Sequence, residues 1–214
     1  MAISTHSAKF KMNARAFVLL FLPLMLLSLV SCQKRLYNEG GNLVDRDNGV
    51  TYIPAPITFE PQTLAAEPYA ECSELGIELY EIEGLPGDEW LSEPFDGIGG
   101  VYYSDKITLP TLEEFDADLL YICVEQVITV SIGTVDDKAG IDAIVTSFIS
   151  GEPTTIIQSG NSYKLKFSSD KYPGLYYNLI YIEGDDGENY IYDRSTQTCV
   201  DVGDVLQAYM PRED

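Results

Sequence analysis

From position 119 to 132 the chain reads Leu-Leu-Tyr-Ile-Cys-Val, then Glu-Gln, then Val-Ile-Thr-Val-Ser-Ile. Two apolar runs this short are poor material for buried helices, and side chains branched at Cβ pack well on a pleated backbone. Residues 119–124 and 127–132 are therefore expected as central strands, and the remaining chain has to cover them. Further β-forming runs fall at 50–53, 76–83, 101–103, 107–109, 163–167, 175–182 and 190–193. In 76–83, alternation sets Ile77, Leu79 and the stem of Glu81 against Glu78, Tyr80 and Ile82.

Turn chemistry separates these runs. Asp47-Asn48-Gly49 suits a hairpin that needs positive φ, Tyr172-Pro173-Gly174 has the order of a type II turn, and Gly184-Asp185-Asp186-Gly187 closes another hairpin. One helix is marked. Asp136 or Asp137 can cap it, Ile141, Ile144, Val145, Phe148 and Ile149 recur at helical spacing, and Gly151 and Pro153 end it. The expected fold class is α+β: a β-rich, twisted antiparallel sheet with hairpins and one main amphipathic helix, in a single domain over 42–214.

Ahead of that domain, Lys9, Lys11 and Arg15 precede a fifteen-residue apolar run over 16–30. A spanning helix needs about 20 apolar residues, so the run reads as an export signal. It closes on Leu29-Val30-Ser31-Cys32. This tetrad resembles the lipobox of bacterial lipoproteins: an aliphatic residue, a small or aliphatic one, a small one, then cysteine. The resemblance implies removal of residues 1–31 and a thioether-linked diacylglycerol on Cys32. It places the protein in the cell envelope, lipid-anchored on the extracytoplasmic side of a bacterial membrane. Two acyl chains hold a protein stably where one holds it marginally. Residues 32–41, ending in Gly40-Gly41, are expected as a short flexible tether.

Without residues 1–31 the chain keeps ten basic residues against 34 acidic ones, a net charge of −24. That balance argues against nucleic acid as a partner, because binding phosphates takes Lys and Arg in numbers. The only histidine, His6, lies in the export signal. Ser-His-Asp and Cys-His catalysis and histidine zinc sites are closed to the mature chain. The acids around Asp47 do not follow the spacing of a calcium loop, and Gly97-Ile98-Gly99-Gly100 does not follow a strand to open a helix as a dinucleotide cradle would. No metal and no cofactor is expected.

Three cysteines remain, Cys72, Cys123 and Cys199, and three cannot all pair. Cys123 sits in an apolar run and reads as a buried thiol; Cys72 and Cys199 are left as a possible bridge or as two more thiols. The segment 84–100 is longer than an ordinary connection and holds the only tryptophan, Trp90, near Phe95 and several acids. Those two aromatics suit a contact with a protein or carbohydrate partner, or else fold back as plugs of the core. The sequence names no reaction. The expectation is a membrane-anchored lipoprotein with a non-catalytic binding role and no catalytic residues; the alternative is a carboxylate-dependent hydrolase acting on polysaccharide.

Overall fold

A computed structural model describes residues 33–94, 100–155, 160–184 and 187–210. Cys32, the export signal, Phe95 and the Asp185-Asp186 turn lie outside the described residues. From Lys34 onward the chain forms one compact unit.

Nine strands come first: β1 (Lys34–Arg35), β2 (Tyr37–Glu39), β3 (Asn42–Asp45), β4 (Val50–Pro54), β5 (Phe59–Pro61), β6 (Ala70–Cys72), β7 (Ile77–Glu81), β8 (Trp90–Ser92) and β9 (Val101–Ser104). All but β5 join one sheet in the order β1-β6-β7-β8-β9-β4-β3-β2. The two ends of that order are neighbours in sequence, with only Leu36 between them, so the sheet comes round on itself as a small, nearly closed barrel. Closure leaves few strand edges open to other chains. Side chains fill the interior: Leu36, Leu43, Tyr52, Leu79 and Leu91 are buried there with Cys72.

The segment 32–41, expected to be a flexible tether, is therefore largely part of the barrel wall. Lys34 and Arg35 pair in parallel with Ala70 and Glu71, the Leu36 amide donates to the Glu71 carbonyl at 2.8 Å, and Tyr37, Asn38 and Glu39 pair with β3. Leu36 is 1% exposed. Burying its side chain and satisfying its backbone outweighs the freedom that Gly40 and Gly41 suggest, and the two glycines instead make the β2–β3 turn with positive φ.

After a short helix α1 (Leu112–Phe115) come β10 (Leu119–Glu125), β11 (Thr129–Val135), helix α2 (Lys138–Ser150), β12 (Pro153–Thr154), β13 (Asn161–Ser168), β14 (Leu175–Glu183), β15 (Asn189–Asp193), β16 (Thr198–Asp201) and a 3₁₀ turn at Gln207–Tyr209. A second, antiparallel sheet runs β11-β10-β13-β14-β15-β16-β12. β5 crosses over to it and pairs with the first residues of β14, in line with β15 on the rest of that strand. Helix α2 leaves one edge of this sheet and delivers the chain to the other, burying Ile141 and Ile144 in a cluster with Leu120, Ile122, Leu165, Phe167 and Val200. The Asp137 carboxylate caps it, accepting from the amides of Ala139 and Gly140 at 3.3 and 3.1 Å. Gly151 ends it in an extended conformation, and its need for glycine is spatial: a Cβ there would lie 2.2 Å from Val200 Cγ1 and 2.8 Å from the Ser147 carbonyl oxygen.

The chain is thus β-rich and mostly β, with two sheets where one was expected and α2 as the main helix. Residues 119–124 do lie in a central strand. Residues 127–132 do not: β11 is an edge, and Val127 is fully exposed. Ile107 to Leu109 leave the sheet after β9.

A seam of aromatic rings joins barrel to sheet. In β8, Leu91 points into the barrel while its neighbour Trp90 points out of it, as strand alternation requires. The Trp90 ring then meets Phe59 of β5, Tyr103 of β9 and Tyr172, with centroids 5.9, 6.4 and 6.4 Å away. Phe115 stacks on Tyr172 at 5.2 Å. Leu79 and Ile82 split the same way, the first into the barrel and the second into the seam.

Candidate functional site

On β13 the residues Leu165 and Phe167 enter the core, so Lys164 and Lys166 stand on the opposite face of the sheet. Across the ladder, Lys166 lies opposite Asn178 of β14, and Glu60 of β5 lies opposite Tyr176 on the other flank of that strand. These neighbours form an ionic network. Glu60 Oε1 receives Lys166 Nζ at 2.5 Å, and Glu60 Oε2 receives Lys164 Nζ at 2.7 Å and the Asn178 amide at 2.9 Å. Lys164 also lies 3.5 Å from Glu125. The Lys166 ammonium sits over the Tyr176 ring at 4.9 Å, and that ring meets Tyr121 edge-on at 6.0 Å.

Burial raises the pKa of Glu60, but hydrogen bonds and charge from Lys164 and Lys166 more than offset it and leave the carboxyl below its ordinary value. The nearby Cys123 thiol is pushed up by burial, so it stays protonated and unreactive.

Beside the network lies a pocket of about 70 Å³, lined by Ile57, Lys164, Asn178, Ile180, Tyr192 and Arg194 among others. Asn178 is only 9% exposed, and its Oδ1 is buried with no hydrogen-bond partner among the described residues. Its amide cannot simply be turned round, because that would set Oδ1 against the Glu60 carboxylate. A buried acceptor left without a donor costs about 1–3 kcal/mol. Arg194 is exposed and makes no ion pair with another described residue, and Ile57 is 67% exposed.

The loops that hold these groups are fixed from below. Asp193, 5% exposed, accepts from the Ser195 amide at 2.8 Å, the Thr196 hydroxyl at 3.0 Å and the Thr58 hydroxyl at 3.2 Å. The Asn178 backbone N–H donates to the Thr58 carbonyl at 2.7 Å. Thus the turn carrying Arg194 and the segment carrying Ile57 are tied to the strand carrying Asn178.

Trp90 is not at this site and is not a surface contact. It is 2% exposed in the seam, because β8 pairs on both sides and alternation turns its ring toward Phe59. Cys72 and Cys199 occupy separate hydrophobic clusters, and Cys72 and Cys123 are buried free thiols. Among the described residues no group of His, Cys, Asp and Glu is arranged to hold a metal. None of the pocket residues stands out in the sequence. Lys164-Leu165-Lys166 does place two of a small number of cations on one strand face, but Glu60 reaches them from 104 and 106 residues away through pairing that no local pattern encodes.

Comparison of the chain with known protein families, with curated proteins and with solved structures finds no match.

Proposed function

We propose that this protein is a lipoprotein anchored through Cys32 on the extracytoplasmic side of a bacterial membrane, and that its domain binds a ligand without catalysis. The pocket beside the Glu60 network is the binding site in this reading, and its ligand is hydroxyl-bearing, the end of a carbohydrate chain. The carrying observation is a pocket lined by Asn178, Tyr192 and Arg194, with the buried Asn178 Oδ1 left without a donor from any described residue. A small shift of the wall that uncovers Oδ1 lets a sugar hydroxyl supply the missing donor, Tyr192 and Ile57 offer apolar surface to a ring, and the exposed Arg194 offers guanidinium donors.

The polysaccharide hydrolase is the weaker reading. Such an enzyme needs a carboxyl group whose pKa is raised so that it can protonate the leaving oxygen. Glu60 is moved the other way and already holds two lysines. The test is retention of the lipidated protein, reconstituted in nanodiscs, on an array of envelope and dietary polysaccharides. Binding to a saccharide, weakened about tenfold by Arg194→Ala through loss of one charged hydrogen bond, supports the proposal. No retention, or retention indifferent to Arg194→Ala, contradicts it.

A further inference from the structure

We infer that the end of the barrel carrying Lys34 faces the membrane and seats on zwitterionic phospholipid headgroups, an orientation that rests on the lipid-anchored reading above. Only Gln33 separates Cys32 from the first residue of β1. Two Cα steps reach at most about 7 Å, so a lipid on Cys32 holds the start of β1 at headgroup depth. There is no slack further along, because β1 is laddered to β6 and Leu36 is buried.

Strand directions show what else lies at that end. β6 begins opposite Lys34 and β3 ends at Asp45, opposite the first residue of β4. β7 ends at Glu81 and β9 at Ser104, next to Lys106. Together with the turn before β8 these ends enclose a polar mouth of about 500 Å³, whose lining includes Lys34, Asp45, Tyr69, Glu81, Asp88 and Lys106. The Lys34 ammonium is hydrogen-bonded to the Tyr69 hydroxyl and lies 3.8 Å from Asp45. A Cβ at Gly87 would come 2.3 Å from Glu81 Oε1, so only glycine leaves that carboxylate its place on the rim.

Two cations and three carboxylates are a poor match for an anionic lipid surface, which the whole chain also repels. They match a headgroup with a phosphate and an ammonium: Lys34 and Lys106 toward the first, Glu81 and Asp88 toward the second. Tyr69 suits a boundary that is apolar on one side and wet on the other.

The lipidated full-length protein, reconstituted into vesicles of phosphatidylethanolamine and phosphatidylcholine with a headgroup-linked quencher, gives the test. A fluorophore is attached at Asp47→Cys, on the exposed β3–β4 turn of the same end, or at Leu75→Cys, on the β6–β7 turn of the opposite end. Quenching several-fold stronger at position 47 is expected, and a flexible Gly-Ser insert between Gln33 and Lys34 should erase the difference. Equal quenching, or stronger quenching at 75, overturns the orientation. Quenching at 47 that rises in phosphatidylglycerol vesicles overturns the headgroup assignment. An intact mass on the same sample separates the two claims: without lipid on Cys32 the anchoring reading falls and takes the orientation with it, whereas a lipidated chain with the wrong quenching pattern leaves anchoring standing and removes only the orientation.

Discussion

Two residues show how burial changes what a side chain is for. Trp90 has the composition of a contact residue, yet its ring is enclosed by Phe59, Tyr103 and Tyr172. Trp90→Ala is expected to cost about 3–5 kcal/mol of stability in a denaturant titration, and the native emission should be blue-shifted and protected from acrylamide. Glu60 is the opposite case, an acid kept charged in partial burial. Its folded-state pKa is depressed, so the stability it contributes is present above the unfolded carboxylate value and is lost as pH falls through the folded one. Glu60→Gln should cost about 1.5–3 kcal/mol near neutral pH, as charged hydrogen bonds are lost. The gap from the native protein should close as pH falls below about 4; a gap independent of pH would mean that charge is not what Glu60 supplies. The sequence carried the identity of both residues but not their neighbours, because Phe59 and Glu60 lie on β5, which stays out of the first sheet and pairs with β14 of the second.

At the scale of elements, what was legible depended on whether the signal was local. The β3–β4 turn and helix α2 carry their instructions within a few residues, Asn48-Gly49 in one and Asp137 at the cap of the other, and both stand where those residues put them. The role of Gly151 was only half legible: it does cap the helix, but in an extended conformation, and what the position requires is small size, because Val200 of β16 packs against it. Gly151→Ala is therefore expected to destabilise by about 1–3 kcal/mol, as overpacking does, where a simple helix-end position would tolerate alanine; thermal melts of the two proteins decide between them. A second failure concerns β11. Its branched residues look like core, but a strand's place in the sheet is set by what pairs on its far side, and that depends on the whole topology.

For the molecule as a whole, the sequence conveyed β-richness and one helix but not the partition into a nearly closed barrel and an open sheet. Closure depends on six residues, Lys34 to Glu39, pairing with two strands that lie far apart in the sheet order, and nothing in Lys-Arg-Leu-Tyr-Asn-Glu announces it. Because the seam around Trp90 belongs to the same buried cluster as α2 and β13, the two sheets should unfold together. Tryptophan emission and far-ultraviolet circular dichroism are expected to give coincident transitions, and a separate early loss of either signal would mean that the seam does not couple them. In the proposed anchoring, lipid on the residue two places before the first strand ties this folded unit to a bilayer. The most direct measurement is the intact mass of the protein extracted from cell membranes. The expected species begins at Cys32 and carries a diacylglyceryl group on that residue; a chain intact from Met1 with an unmodified Cys32 would overturn lipid anchoring.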